Sequence, residues 1–242
     1  PEGLFSVGAV PGTVAGERAG TTVLGDPDIL REIVIPLGGQ EAIDYDFAEA
    51  LPARVSGHVY HDRNNDGIRQ PASEEGLGGI TIQVIPVTTV SDQSAVTVTT
   101  DANGYYEATG LAPGTYRVVE PAQPPGYFDG LDTPGTVNGS QVGAAVNPGD
   151  RIEGIFLGGG QAGVEYDFGE IAPASVRGKV TLTQPDGSCF VPGCDRPLAD
   201  VTVRLLDPSG TELAVTATNE LGEYAFTDLF PGTYTVVEVT PA

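Results

Sequence analysis

The chain has 242 residues, 40% of them hydrophobic, with 34 glycines, 20 prolines and a single lysine, Lys179, against a net charge of −22. That length suits about two domains with proper cores, and the composition is too apolar for a disordered chain and lacks the glycine triplets of collagen. So acidic a surface repels nucleic acid and anionic membranes, and no run reaches the ~20 apolar residues of a spanning helix, so nucleic-acid binding and membrane insertion by this segment are set aside.

The first residues are echoed further on. PEGLFSVGAVPGTVAGE at 1–17 answers PPGYFDGLDTPGTVNGS at 124–140, and IDYDFAEALPARVSGHV at 43–59 returns as VEYDFGEIAPASVRGKV at 164–180, a period of 121 residues. A second echo pairs TDANGYYEATGLAPGTYRVVE, ending at Glu120, with TNELGEYAFTDLFPGTYTVVE, ending at Glu238. Self-similarity at a fixed period marks a repeat architecture. Residues 1–49 therefore read as the C-terminal half of one repeat, 50–173 as a complete repeat and 174–242 as the N-terminal half of another. The junctions Leu51-Pro52-Ala53 and Ala172-Pro173-Ala174 are short and proline-containing, which predicts stiff connections.

The complete repeat reads as strands throughout, over 54–60, 79–86, 94–100, 104–109, 115–120, 151–157 and 163–169. Short alternating runs separated by Gly, Pro and Asn-Gly turns predict an all-β, antiparallel sandwich of the Ig-like or transthyretin-like kind. Asn103-Gly104 is expected to turn a tight hairpin. The segment 124–150 is poorer in strand signals and is expected to wrap as a long ordered loop. Tyr116 follows a Leu-Ala-Pro-Gly-Thr turn, and Tyr234 follows Leu-Phe-Pro-Gly-Thr. Both are expected to be structural corner tyrosines, their hydroxyls bonded back to nearby backbone.

Between the first two strands lies DRNNDGIRQPASEE, residues 62–75. Asp62, Asn64 and Asp66 stand at alternate positions with Gly67 directly after them. This is the first half of an EF-hand-type calcium loop, in which a glycine at position six allows the oxygens at one, three and five to converge. The Ile68 carbonyl and Gln70 are the expected donors at positions seven and nine. Position twelve is Ser73, so the closing carboxylate is expected from Glu74 or Glu75. The alternative is a solvated Asn/Asp/Gly turn.

The strand VSGHVYHD, the loop DRNNDG, the return EEGLGGITIQV and the later TTDANGYY, LAPGTYRVVEP and PPGYFDGLDT together resemble the B-type repeats of Gram-positive serine-aspartate repeat surface adhesins. Those repeats are relatives of the B-type domains of collagen-binding adhesins. The resemblance covers nearly all of the chain and implies a transthyretin-like or Ig-like sandwich, a cell-surface location, calcium in the loop and a spacer role. Some collagen-binding B-type domains close a Lys–Asn or Lys–Asp isopeptide bond promoted by a buried glutamate. Glu120 and Glu238 occupy that glutamate's place, and Asp46 and Asp167 are plausible acceptors. The complete repeat has no lysine, however, and Lys179 stands too early in its strand, so the bond is not expected.

The last segment replaces the calcium loop with TQPDGSCFVPGCDRPLAD, which carries the only two cysteines, Cys189 and Cys194. Outside the cell so tight a pair is expected to close a disulfide. Zinc is the rival reading, although two sulfurs without a neighbouring histidine fall short of four ligands. His58 and His61 are the only histidines, and neither a nucleophile elbow nor a phosphate-cradling glycine loop is present. The sequence thus predicts a non-enzymatic, calcium-stiffened extracellular repeat serving as a stalk or fibre segment, whose partners are neighbouring repeats or copies of itself. An adhesive module for a host protein or glycan is the alternative, and the accessory sandwich of a secreted carbohydrate-active enzyme is a third reading. Residues 174–242 and 1–49 are complementary pieces of one sandwich. The chain is then either a window on a longer tandem array or a subunit that joins its neighbour head to tail.

Overall fold

A computed structural model describes residues 3–182 and 196–239, and every regular element among them is a strand. The chain divides into two compact units, residues 1–125 with 129–170, and residues 171–242 with 126–128. Cys189 and Cys194, and with them the expected disulfide, lie outside the described residues.

In the first unit the complete repeat is a two-sheet sandwich. One sheet runs, in spatial order, Val96–Thr99, Thr81–Thr89, Gly114–Val119, Arg151–Leu157 and Ala144–Val146, all antiparallel. The other is built around the nine-residue strand Ala53–His61. Tyr105–Leu111 pairs antiparallel with one edge of that strand, Tyr105 opposite His58 and Leu111 opposite Ala53. Along the other edge run two short strands parallel to it, Ala162–Val164 opposite Arg54 and Val55, and Phe168–Ile171 opposite Val59 to His61. Alternation sends Val55, Val59, Tyr106, Ala108 and Phe168 inward from this sheet to meet Ile82, Val84, Tyr116, Val118, Ile152, Ile155 and Leu157 from the other. Apolar burial on this scale is the main stabilising term of the fold.

Three local expectations need correction. The single strand expected over 163–169 is two strands, separated by a turn in which Glu165 takes φ of 62°. The cause lies opposite, at Gly57, where a β-carbon would sit 1.9 Å from the Tyr166 carbonyl oxygen. The turn is pressed against bare backbone there and held by Tyr106 Oη, which donates to the Tyr166 carbonyl at 2.6 Å. The segment 124–150 is no long loop, for it contains the strands Phe128–Asp129, Thr136–Val137, Ser140–Gln141 and Ala144–Val146. Finally, Asn103-Gly104 does not turn a hairpin. Val96–Thr99 and Tyr105–Leu111 belong to opposite sheets, so the turn carries the chain across the sandwich. Only Gly104 has positive φ there, and the Asp101 carboxylate shapes the turn by accepting the N–H groups of Asn103 and Tyr105.

Residues 3–50, in the same unit, repeat the second half of this pattern. Thr13–Val14 pairs with Glu17–Arg18 and with Ala42–Ile43, as Thr136–Val137 pairs with Ser140–Gln141 and Ala162–Val164. Gly12 faces the Ile43 carbonyl as Gly135 faces that of Val164, each too close for a β-carbon. The second unit repeats the first half. Ala174–Lys179 pairs with Glu223–Leu229, with Gly178 opposite Tyr224 where the complete repeat sets Gly57 opposite Tyr106. Thr202–Leu206 lies between Glu212–Ala217 and Thr235–Glu238. Its core is small, centred on Val203, Leu205 and Phe226.

Candidate metal-binding loop and its surroundings

The loop leaves the end of the strand Ala53–His61. Asp62 is fully buried and its N–H donates to the Glu170 carbonyl at 2.8 Å, which ties the loop entrance to the last strand of the repeat. Its carboxylate faces inward, Oδ1 accepting the N–H of Asp66 at 3.2 Å and Oδ2 that of Gly67 at 2.7 Å. Gly67 has φ of 71°, a conformation that favours glycine, and its carbonyl accepts the Thr133 hydroxyl. Asn64 Oδ1 accepts the Asp66 N–H and its amide donates to Asp66 Oδ2. Asp66 also accepts the Ile68 N–H at 2.8 Å and the Gln70 side-chain amide on both oxygens. The Ile68 bond, with those of Asn64 and Gln70, holds the Asp66 carboxyl below its usual range.

The two candidates for closing the loop point in different directions. Glu74 is 3% exposed and aimed inward, its oxygens accepting the N–H groups of Arg63 at 3.1 Å and Gln70 at 2.8 Å. Glu75 faces outward to the His61 ring at 3.0 Å and the Arg63 guanidinium at 2.7 Å; the His61 bond first, with help from Arg63, depresses its carboxyl to about 2. Of the two, Glu74 is the carboxylate turned into the loop. Asp62, Asp66 and Glu74 are the carboxylates of the loop that accept its backbone N–H groups, and no lysine or arginine among the described residues forms an ion pair with any of the three. The donor chemistry fits Ca²⁺, which takes six to eight oxygens in flexible geometry. Among the described residues no three such side chains are drawn to ligand distance. Their lone pairs instead receive backbone N–H groups, which organise the same turn.

The two corner tyrosines bond in the same way. Tyr116 Oη donates to the Ala112 carbonyl at 2.5 Å, with Gln93 Oε1 2.7 Å away, and Tyr234 Oη donates to the Phe230 carbonyl at 2.6 Å. Burial pushes the Tyr116 phenol up to about 12. Lys179, not expected to form an isopeptide bond, has its ammonium 2.9 Å from Glu223.

Around Glu120, already singled out by the resemblance, lies a group of acids that the sequence did not bring together. Glu120, Asp132 and Glu170 are buried, with Asp129 and Asp150 beside them. They are scattered over fifty residues, and only the crossing of strand ends brings them together.

A model of the SdrD B-like domain matches residues 53–170 and 192–242. The serine-aspartate repeat-containing protein D of Staphylococcus aureus strain Newman is 30% identical over 205 residues, which is 83% of this chain and 14% of the relative. Protein E of strain Mu50 is 31% identical over 191 residues, 78% of this chain and 16% of the relative. This chain thus spans about one seventh of the relatives it matches. Among solved structures, the streptococcal ancillary pilin aligns with 99% of this chain and 67% of its own, at 15% identity and a TM-score of 0.37. With the family model covering more than half of its residues, the chain belongs to the SdrD B-like domain family, an extracellular family of the bacterial cell surface.

Proposed function

We propose that this chain is a stalk segment of a surface protein, a run of 121-residue sandwich repeats stiffened by Ca²⁺ in the 62–74 loop. The observation that carries the reading is the recurrence of one strand-pairing scheme as a half, a whole and a half. Repeats of this kind act as spacers, and among the described residues no constellation of side chains asks for a catalytic role. In the loop, Asp62, Asn64, Asp66, the Ile68 carbonyl, Gln70 and Glu74 would hold the ion, which would draw the entrance strand, the loop and Thr133 into one rigid corner. Calorimetry after chelation tests the metal. Added Ca²⁺ is expected to give heat of binding and a higher melting temperature, by about 2.7 kcal/mol of stability at one hundred times the dissociation constant. Asp66→Ala is expected to lose the part of that gain owed to the loop. Wild-type protein that shows neither heat nor shift refutes calcium in the loop.

The half-repeats supply the joint. In the complete repeat Gly114–Val119 is paired on both edges, by Thr81–Thr89 and Arg151–Leu157. Its counterpart Thr235–Glu238 is paired with Thr202–Leu206 alone among the described residues. Among the described residues Ala174–Lys179 pairs with Glu223–Leu229 alone, without the parallel partners that Ala53–His61 has. Residues 3–50 bury one large apolar side chain, Val14, and expose Val10, Val34, Leu37 and Phe47. Open strand edges beside an exposed apolar face invite strand addition. A segment of the 3–50 type from a second copy is the occupant that fits them. Light scattering on the isolated chain is expected to show association that disappears when 1–49 is deleted, and a strict monomer at high concentration refutes the joint.

A further inference from the structure

We infer that the head-to-tail joint is made through one turn, residues 44–46 of one copy, seated on Gly178, Lys179 and Tyr224 of the next; the inference rests on the joint proposed above and names its contacts. The complete repeat supplies the template within a single chain. There the turn 165–167 lies against the strand Ala53–His61. Tyr166 N donates to the Ser56 carbonyl at 3.2 Å, the Tyr166 carbonyl covers Gly57, and Tyr106 Oη donates to that carbonyl at 2.6 Å. Asp167 Oδ1 accepts the His58 N–H at 2.7 Å and stands 3.5 Å from the His58 ring, the two side chains 13% and 23% exposed. Next to the turn, Phe168 is fully buried opposite Val59.

Each half-repeat carries one side of this contact. In residues 3–50 the turn is formed in advance: Asp44 takes φ of 64° where Glu165 takes 62°, and Tyr45 Oη donates to the Ala19 carbonyl at 3.0 Å as Tyr166 Oη donates to that of Val142. The two side chains that follow are bare. The Asp46 carboxylate is exposed, with no ion-pair partner among the described residues, and Phe47, the counterpart of buried Phe168, is 52% exposed. On the other half the receiving surface is a groove of about 440 Å³ lined by Arg177, Gly178, Lys179 and Tyr224. The space above Gly178 holds only the Tyr224 side chain, whose hydroxyl lies 2.5 Å from where a β-carbon would stand and makes no hydrogen bond among the described residues. Lys179 stands one period after His58. The same parallel register therefore sets Asp46 on Lys179, Phe47 opposite Val180, and the Tyr45 carbonyl over Gly178 within reach of the Tyr224 hydroxyl. The Lys179 ammonium, 2.9 Å from Glu223, would then lie between two carboxylates. In a chain of net charge −22, whose copies repel one another, the single lysine meeting a bare aspartate fixes both partner and register.

The test is light scattering of the full chain with these two charges exchanged. Asp46→Lys and Lys179→Asp are each expected to weaken association about tenfold, and the two together to bring it back towards wild type, because the pair is then reversed rather than lost. Tyr224→Phe is expected to weaken association while leaving the melting temperature of the dilute chain unchanged, since the hydroxyl it removes has no partner until a second copy arrives. Association that ignores all three substitutions, or a double variant no better than either single one, overturns these contacts and leaves the joint itself standing. A wild-type chain that stays monomeric overturns the joint and the inference together.

Discussion

Gly57→Ala is the substitution that most sharply tests how the repeat closes. A β-carbon at this position would stand 1.9 Å from the Tyr166 oxygen, 2.5 Å from its carbonyl carbon and 2.9 Å from its nitrogen. Ordinary carbon–oxygen contact is about 3.5 Å, and the obstruction is backbone, so the 165–167 turn must retreat by about 1.5 Å. The retreat breaks three hydrogen bonds: Tyr166 N to the Ser56 carbonyl at 3.2 Å, Tyr106 Oη to the Tyr166 carbonyl at 2.6 Å, and His58 N to Asp167 Oδ1 at 2.7 Å. At about 1 kcal/mol each, the expected loss is about 3 kcal/mol, or roughly 12 °C in a domain of this size. Thermal unfolding followed by circular dichroism measures it. Gly8→Ala serves as the control, because nothing lies within 4 Å of a β-carbon there and its φ is not positive. A Gly57→Ala protein within about 0.5 kcal/mol of wild type would refute the close approach on which the parallel edge depends.

Tyr116→Phe is expected to destabilise by about 1–3 kcal/mol in denaturant unfolding, since it strips the Ala112 carbonyl of its donor inside the core. In chelator the acid cluster sets a pH dependence. Glu120 binds a proton more tightly folded than unfolded, so its contribution is present in full below about 4.5 and is lost as pH rises towards about 9. Melting temperature in chelator is therefore expected to fall across that window, and Glu120→Gln is expected to flatten the slope.

Much of the sandwich was legible because its long strands alternate. Arg151–Leu157 was placed at its bounds, and Ala53–His61 within a residue at either end. The 124–150 segment was not, because strands of two or three residues carry too little alternation to register and are held by pairing alone. The parallel edge was hidden for a different reason. Strand direction is a long-range property, and the one local trace of it, Gly57, reads as an ordinary glycine until Tyr166 is placed opposite. In the loop, spacing singles out Asp62, Asn64 and Asp66 as candidates, but only the fold separates inward-facing Glu74 from outward-facing Glu75. The cluster of buried acids was not readable as a group, since its members are spread from Glu120 to Glu170 over strands and the loops between them.

Pulling on the chain from its two ends tests the calcium-stiffened stalk most directly. Unfolding the complete repeat, residues 53–171, releases about 40 nm of contour at about 3.5 Å per residue. The account predicts one event of that length at a clearly higher force in Ca²⁺ than in chelator, with the difference reduced by Asp66→Ala. Events of equal force in both conditions would contradict it.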